Sequence, residues 1–94
     1  MTPIRIQRKR TKGWRMLKNT IYVGRPTKWG NPFPLNKFTR EESLNLFRYD
    51  ILSKLQTGVG YPLRELRGKN LACFCALDQS CHSDVLLELA NNLP

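Results

Sequence analysis

Cys73-Phe74-Cys75 and Cys81-His82 bring three thiols and an imidazole close together in the chain, with the turn-like Ala76-Leu77-Asp78-Gln79-Ser80 between them. Three chemistries suit this set. Cys73, Cys75, Cys81 and His82 supply the sulfur and nitrogen donors that tetrahedral zinc takes, although a single residue between two cysteines is tighter than the usual knuckle spacing. Alternatively, a helix opening at Cys81-His82 would stabilise negative charge with its orphan amides and dipole. Cys81 would then be an activated nucleophile, or the helix end would bind a phosphate to which His82 donates a hydrogen bond. In the third reading Cys73 and Cys75 are small buried hydrophobes and His82 is a capping or core histidine.

A second group lies in Gly24-Arg25-Pro26-Thr27-Lys28-Trp29-Gly30-Asn31-Pro32-Phe33. Arg25 and Lys28 can pair with phosphates, Trp29 can stack on a base, and Asn31 can read a base edge with its paired donor and acceptor. The competing reading has Trp29 and Phe33 plugging the core while the prolines stiffen the loop. The glycine pattern matches neither a P-loop nor a dinucleotide fingerprint. The third group is Arg8, Lys9, Arg10, Lys12, Trp14 and Arg15, basic residues interleaved with an aromatic, which suits phosphate neutralisation with stacking on a single strand.

The elements that must position these groups follow from periodicity. Ile4-Arg5-Ile6-Gln7 alternates as a strand does, and Thr20-Ile21-Tyr22-Val23-Gly24 is β-branched and aromatic up to Gly24 and Pro26. Thr39 and Glu42 make a capping box, and Leu44, Phe47, Ile51 and Leu55 recur at helical spacing, which predicts a helix over about 40–57 closed by Gly58 and Gly60. Pro62 to Arg67 suits a short helical turn. Leu71-Ala72-Cys73-Phe74-Cys75 reads as a buried strand with both thiols on one face, and Ser83 to Ala90 as a C-terminal helix with Asp84 near its positive end. The expected fold is α/β: one small domain over 1–94, with a basic segment at 1–18, a Rossmann-like parallel βαβ core at 19–94, and helices packed on the sheet.

Charge is distributed unevenly. The chain has 94 residues, 16 Lys and Arg against 7 Asp and Glu, and a net charge of +9. Residues 1–28 hold nine of the bases and no acid, so the remainder is neutral overall and one end carries the field. Such an end attracts polyanions with salt-sensitive affinity. A solvated basic face that serves solubility is the plainer alternative. No apolar run suits a membrane span or secretory signal, and the basic tract lacks the apolar face of an interfacial helix, so the expected location is the cytoplasm, away from membranes. Three cysteines are poor material for a disulfide framework.

Pro3-Ile4-Arg5-Ile6-Gln7-Arg8-Lys9-Arg10 with Gly13-Trp14-Arg15, the Tyr22 to Phe33 segment, and Leu71 to Cys75 with Cys81-His82-Ser83-Asp84-Val85-Leu86 together resemble domain of unknown function 4326, a family of bacterial and phage proteins. The resemblance covers nearly the whole chain and departs at Phe74, where members often carry tryptophan. It implies that the Arg25–Phe33 loop and the Cys81-His82 pair belong to one site, and it implies no activity. The leading expectation is a protein that binds nucleic acid or a nucleotide at the strand edge. Its enzymatic form would cleave a glycosidic or phosphate bond, as a hydrolase or glycosylase, with Asn31, His82 and Asp84 positioning water or stabilising charge and Cys81 as nucleophile. The alternative is a non-enzymatic phage or bacterial factor that binds a host protein or nucleic acid and keeps a structural zinc on its Cys/His cluster.

Overall fold

A computed structural model describes residues 3–25, 27–58 and 61–92, so Pro26 and Gly60 lie outside the described residues. Three short strands, β1 (Arg5–Gln7), β2 (Thr20–Tyr22) and β3 (Asn70–Cys73), form one sheet in the order β1-β3-β2. Both pairings are parallel, with Ile6 and Tyr22 each opposite Ala72. The strand that comes last in the chain is therefore central. Its burial agrees with that place: Leu71, Ala72 and Cys73 are all buried, as in a strand covered on both faces.

Between β2 and β3 runs α1 (Arg40–Thr57), followed by a 3-10 turn at Leu63–Leu66; α2 (His82–Asn92) follows β3. The βαβ unit expected from the sequence is thus present, and α2 packs on β3 and β1 and against the 3-10 turn. The core joins Val23, Trp29, Phe47, Ile51, Leu63, Leu66 and Leu71 to Val85, Leu86, Leu89 and Ala90 of α2. One expectation is corrected. The buried face of α1 is Ser43, Phe47 and Ile51, while Leu44 is half-buried and Leu55 is exposed at the rim. A polar side chain occupies the head of the stripe because it serves the site described below.

The start of α1 follows its sequence closely. Thr39 Oγ1 accepts from the Glu42 amide at 3.1 Å, and Glu42 Oε1 accepts from the Thr39 amide at 2.9 Å. Gly58 closes the helix at φ 73°, the left-handed region that glycine tolerates. Thr39→Ala is expected to cost about 1 kcal/mol of stability in urea denaturation. The Thr39 amide, and then its hydroxyl, hold the Glu42 carboxyl below its ordinary value of 4.5. A depressed folded pKa means that this contribution is complete above 4.5 and is lost as pH falls through the folded value. Glu42→Gln should therefore flatten that part of the acid limb of a Tm-against-pH curve.

Candidate functional site

In a parallel sheet all strands end on one edge, so the segments that leave β1, β2 and β3 gather there. These are Arg8-Lys9-Arg10, the Val23–Phe33 loop, and Phe74-Cys75 leading to Cys81-His82. Two adjoining hollows result. The first, about 320 Å³, is lined by Arg25, Asn31, Arg40, Cys75, Cys81 and His82 with an apolar floor that includes Phe33 and Leu44. The second, about 330 Å³, is lined by Arg8, Lys9, Arg10, Tyr22, Arg25 and Phe74. Arg25 borders both.

The Val23–Phe33 loop is held by its own polar atoms. Arg25 donates through Nε and Nη2 to the Asn31 carbonyl at 3.0 and 2.6 Å. Asn31 Oδ1 accepts from the Phe33 amide at 2.9 Å, and its Nδ2 donates to Ser43 Oγ at 2.8 Å. Ser43, wholly buried, donates its hydroxyl to the Phe33 carbonyl at 2.6 Å. This explains the serine on the buried face of α1: it ties loop to helix. Gly24 suits a close approach, since a Cβ there would collide with the Tyr22 ring, whose hydroxyl donates to the Arg25 carbonyl. Asn31→Ala removes two of these bonds and is expected to cost about 2 kcal/mol. Urea denaturation would measure that loss, and a cost below about 0.5 kcal/mol would show that the loop does not depend on Asn31.

Cys81 immediately precedes α2. Its amide donates to Asp84 Oδ2 at 3.1 Å, the reach-back of a residue in the first helical turn to the cap position. Cys81 Sγ lies 3.1 Å from Cys73 Sγ, 3.0 Å from Cys75 Sγ and 3.4 Å from His82 Nδ1. The three sulfurs all lie within 4.8 Å of one another, and the imidazole nitrogens fall outside that group. His82 Nε2 sits 2.7 Å from the Val23 carbonyl, so its ring is fixed between β2 and the sulfur cluster. Hydrogen bonding from Cys73, with further bonds from His82, Cys75 and the Ser83 amide, holds the Cys81 thiol far below the ordinary range despite burial. The same interaction with Cys81 raises Cys73, and burial raises Cys75. Burial opposes a charged His82, but its bonds to Cys81 and to Val23 outweigh that and raise its pKa.

The structure brings together Arg25, Asn31, Cys75, Cys81 and His82, with Cys73 directly behind. Arg8, Lys9 and Arg10 join through Arg25. The strand ends at Cys73, so Cys75 reaches its partners through the bend that follows rather than through strand alternation. Asp84 caps Cys81, pairs with Arg5 at 3.3 Å and borders the groove between α1 and α2 instead. Trp29 is withdrawn into the core, edge-on to Tyr61, which removes its faces from base stacking. Lys28 pairs with Glu65 at 3.1 Å. Lys12, Trp14 and Arg15 line neither hollow.

Sequence reasoning passed over Arg40, Ser43, Tyr22 and the pairing of Arg5. Arg40 left a signal, because a base in the first turn of a helix opposes the dipole, and here it donates to the Ser80 carbonyl at 2.8 Å. Tyr22 and Phe74 stand edge to face with centroids 5.8 Å apart. Arg8 lies over both rings, at 4.6 and 5.4 Å, and Arg10 over Phe74 at 4.4 Å. Among the described residues, none of Arg8, Lys9, Arg10, Arg25 and Arg40 reaches a carboxylate at ion-pair distance.

A protein of Enterobacteria phage T4, described as "Uncharacterized 12.4 kDa protein in nrdA-td intergenic region", is 31% identical over 75 residues, spanning 78% of this chain and 68% of its own. No solved structure matches. The family model described as "Domain of unknown function (DUF4326)" matches residues 6–92, which take in all three post-strand segments of the sheet edge, and the chain belongs to that family.

Proposed function

We propose that the sheet edge binds a phosphate-bearing ligand, a nucleic acid strand or nucleotide, with Arg25 as the shared contact between the two hollows. The observation that carries this is the convergence of Arg8, Lys9, Arg10, Arg25 and Arg40, all without a carboxylate partner among the described residues, on hollows formed by the ends of three parallel strands. Cations left unneutralised at one concave edge focus the field outward. The βαβ unit with its hollow beyond the strand ends is the part of the fold that we read as Rossmann-like. If the metal-free protein turns the ligand over, Cys81 Sγ would bond to the phosphorus or anomeric carbon as the bond to the leaving oxygen breaks, His82 would protonate that oxygen, water would then release the product from sulfur, and Asn31 would hold the loop.

Fluorescence anisotropy with a labelled single-stranded oligonucleotide tests the reading. Arg25→Ala is expected to weaken binding about tenfold, the loss of a charged contact worth about 1.4 kcal/mol. Lys28→Ala should leave it within about twofold, because that ammonium is occupied by Glu65. Equal losses in the two variants would mean that net charge, and not this edge, does the binding.

The sulfur cluster favours a second reading, a non-enzymatic interaction protein in which Cys73, Cys75 and Cys81 hold zinc for stability. One equivalent of zinc in purified protein, with unfolding on chelation, would support it. No helix of the described residues is long and apolar enough to cross a membrane.

A further inference from the structure

We infer that Cys73, Cys75 and Cys81 form a three-thiolate site for one thiophilic divalent cation of the zinc class, whose fourth coordination position opens into the hollow lined by Arg25, Asn31 and Arg40. The identity of the fourth ligand as a phosphate rests on the function proposed above. Binding of the metal does not.

Three features converge. The first is the sulfur geometry: Cys81 Sγ stands 3.1 and 3.0 Å from the other two, inside the ordinary contact of two uncharged sulfurs. A tetrahedral zinc about 2.3 Å from each sulfur would set them about 3.8 Å apart, so the two separations from Cys81 need to open by less than about 1 Å, and all three sulfurs already lie within 4.8 Å of one another. Thiolates select soft or borderline cations over magnesium and calcium.

The second is exposure. Cys73 and Cys81 are each 1% exposed, but Cys75 is half-buried, and Cys75 and Cys81 both border the first hollow whereas Cys73 does not. The cluster is closed at its back and open at its front. The third is the role of His82. Its Nε2 is engaged by the Val23 carbonyl, its nitrogens lie outside the sulfur group, and its Nδ1 faces Cys81 Sγ at 3.4 Å. It supports a ligand sulfur and does not complete the coordination shell.

Three protein ligands and one exchangeable position is the arrangement of reactive zinc sites, whereas four protein ligands mark structural ones. A divalent cation with three thiolates carries net negative charge, and Arg25 and Arg40 stand in the same hollow to offset it and attract an anion. Inorganic phosphate is the simplest probe of that position.

The experiment uses the full chain, reduced and stripped of metal, titrated with cobalt(II). One equivalent should give thiolate-to-cobalt charge transfer and the intense visible bands of a tetrahedral centre. Cys75→Ser should lower cobalt affinity by more than the roughly 10- to 100-fold that loss of a supporting partner costs. His82→Ala should keep the one-to-one charge-transfer band. Inorganic phosphate should shift the visible bands of the wild-type cobalt protein as it displaces water.

Absence of a charge-transfer band in the wild-type protein would overturn the site, as would a Cys75→Ser variant, folded by circular dichroism, that binds cobalt as the wild type does. Loss of the tetrahedral bands in His82→Ala, with wild-type bands indifferent to phosphate, would show a closed four-ligand centre and overturn the open position. Oligonucleotide anisotropy on the metal-free protein separates the two ideas. Strand binding without a cobalt band ends the metal site and leaves the proposed function standing. A one-to-one cobalt band with no strand or phosphate binding supports the metal site and ends the proposed function.

Discussion

Raising the salt concentration from about 50 to about 200 mM is expected to weaken binding of a single-stranded oligonucleotide by about 50-fold. Four cations at the sheet edge, Arg8, Lys9, Arg10 and Arg25, line the second hollow and pair with no carboxylate among the described residues. Each phosphate neutralised on a single strand contributes about 0.7 to the slope of log affinity against log salt, so four contacts give a slope of about −2.8. The stacking of Arg8 on Tyr22 and of Arg10 on Phe74 matters here. It holds the guanidinium planes in place while their edges remain free to donate, so less side-chain entropy is lost on binding. The double substitution Arg8→Ala with Arg10→Ala should make the slope shallower by about 1.4. A slope near zero for the wild-type protein, or one that the double substitution leaves unchanged, would remove the basis for an electrostatic edge.

The largest effect on stability is expected from Leu86→Ala, about 3 kcal/mol. Leu86 is wholly buried within the core face of α2, together with Val85, Leu89 and Ala90. Truncation loses the transfer free energy of the removed carbons and leaves a cavity that parallel strands on one side and the 3-10 turn on the other cannot easily close. In a domain of this size, each kcal/mol lowers Tm by about 4–8 °C, so a fall of about 12–24 °C should appear in a thermal melt. Leu86 also lies one helical turn beyond His82, so loosening α2 loosens the corner that carries Cys81. The exposed Leu46 on α1 is the control, and Leu46→Ala should change stability by no more than about 0.5 kcal/mol. Similar losses at the two leucines would contradict the assignment of the core.

Much of the fold was legible in the sequence because its elements rest on local chemistry. The capping box at Thr39 and Glu42, the helix stop at Gly58 and the β-branched run into Tyr22 each depend on neighbours a few residues away, and each appears where expected. The buried face of α1 was less legible. Leu44 and Leu55 fit a helical stripe as well as Ser43 does not, and only the hydrogen bonds from Asn31 and to Phe33 explain why a serine is buried there. The sheet order was not legible at all. Nothing local tells β3 to lie between β1 and β2; that follows from which strand can be covered on both faces.

The sequence by itself determined the helices, the strands, the concentration of positive charge in the first third and the family to which the chain belongs, since these are properties of residue type and short spacing. Tertiary structure alone decided which of those residues meet. It drew Trp29 into the core and Lys28 to Glu65, left Arg25 and Arg40 without a carboxylate partner among the described residues, and set Cys73, Cys75 and Cys81 sulfur to sulfur. The physical reason is range. Caps and periodicity act over one or two turns of chain, whereas charge pairing, burial and ligand geometry depend on distances in space between residues that in this protein lie as far as 79 positions apart, as Arg5 and Asp84 do.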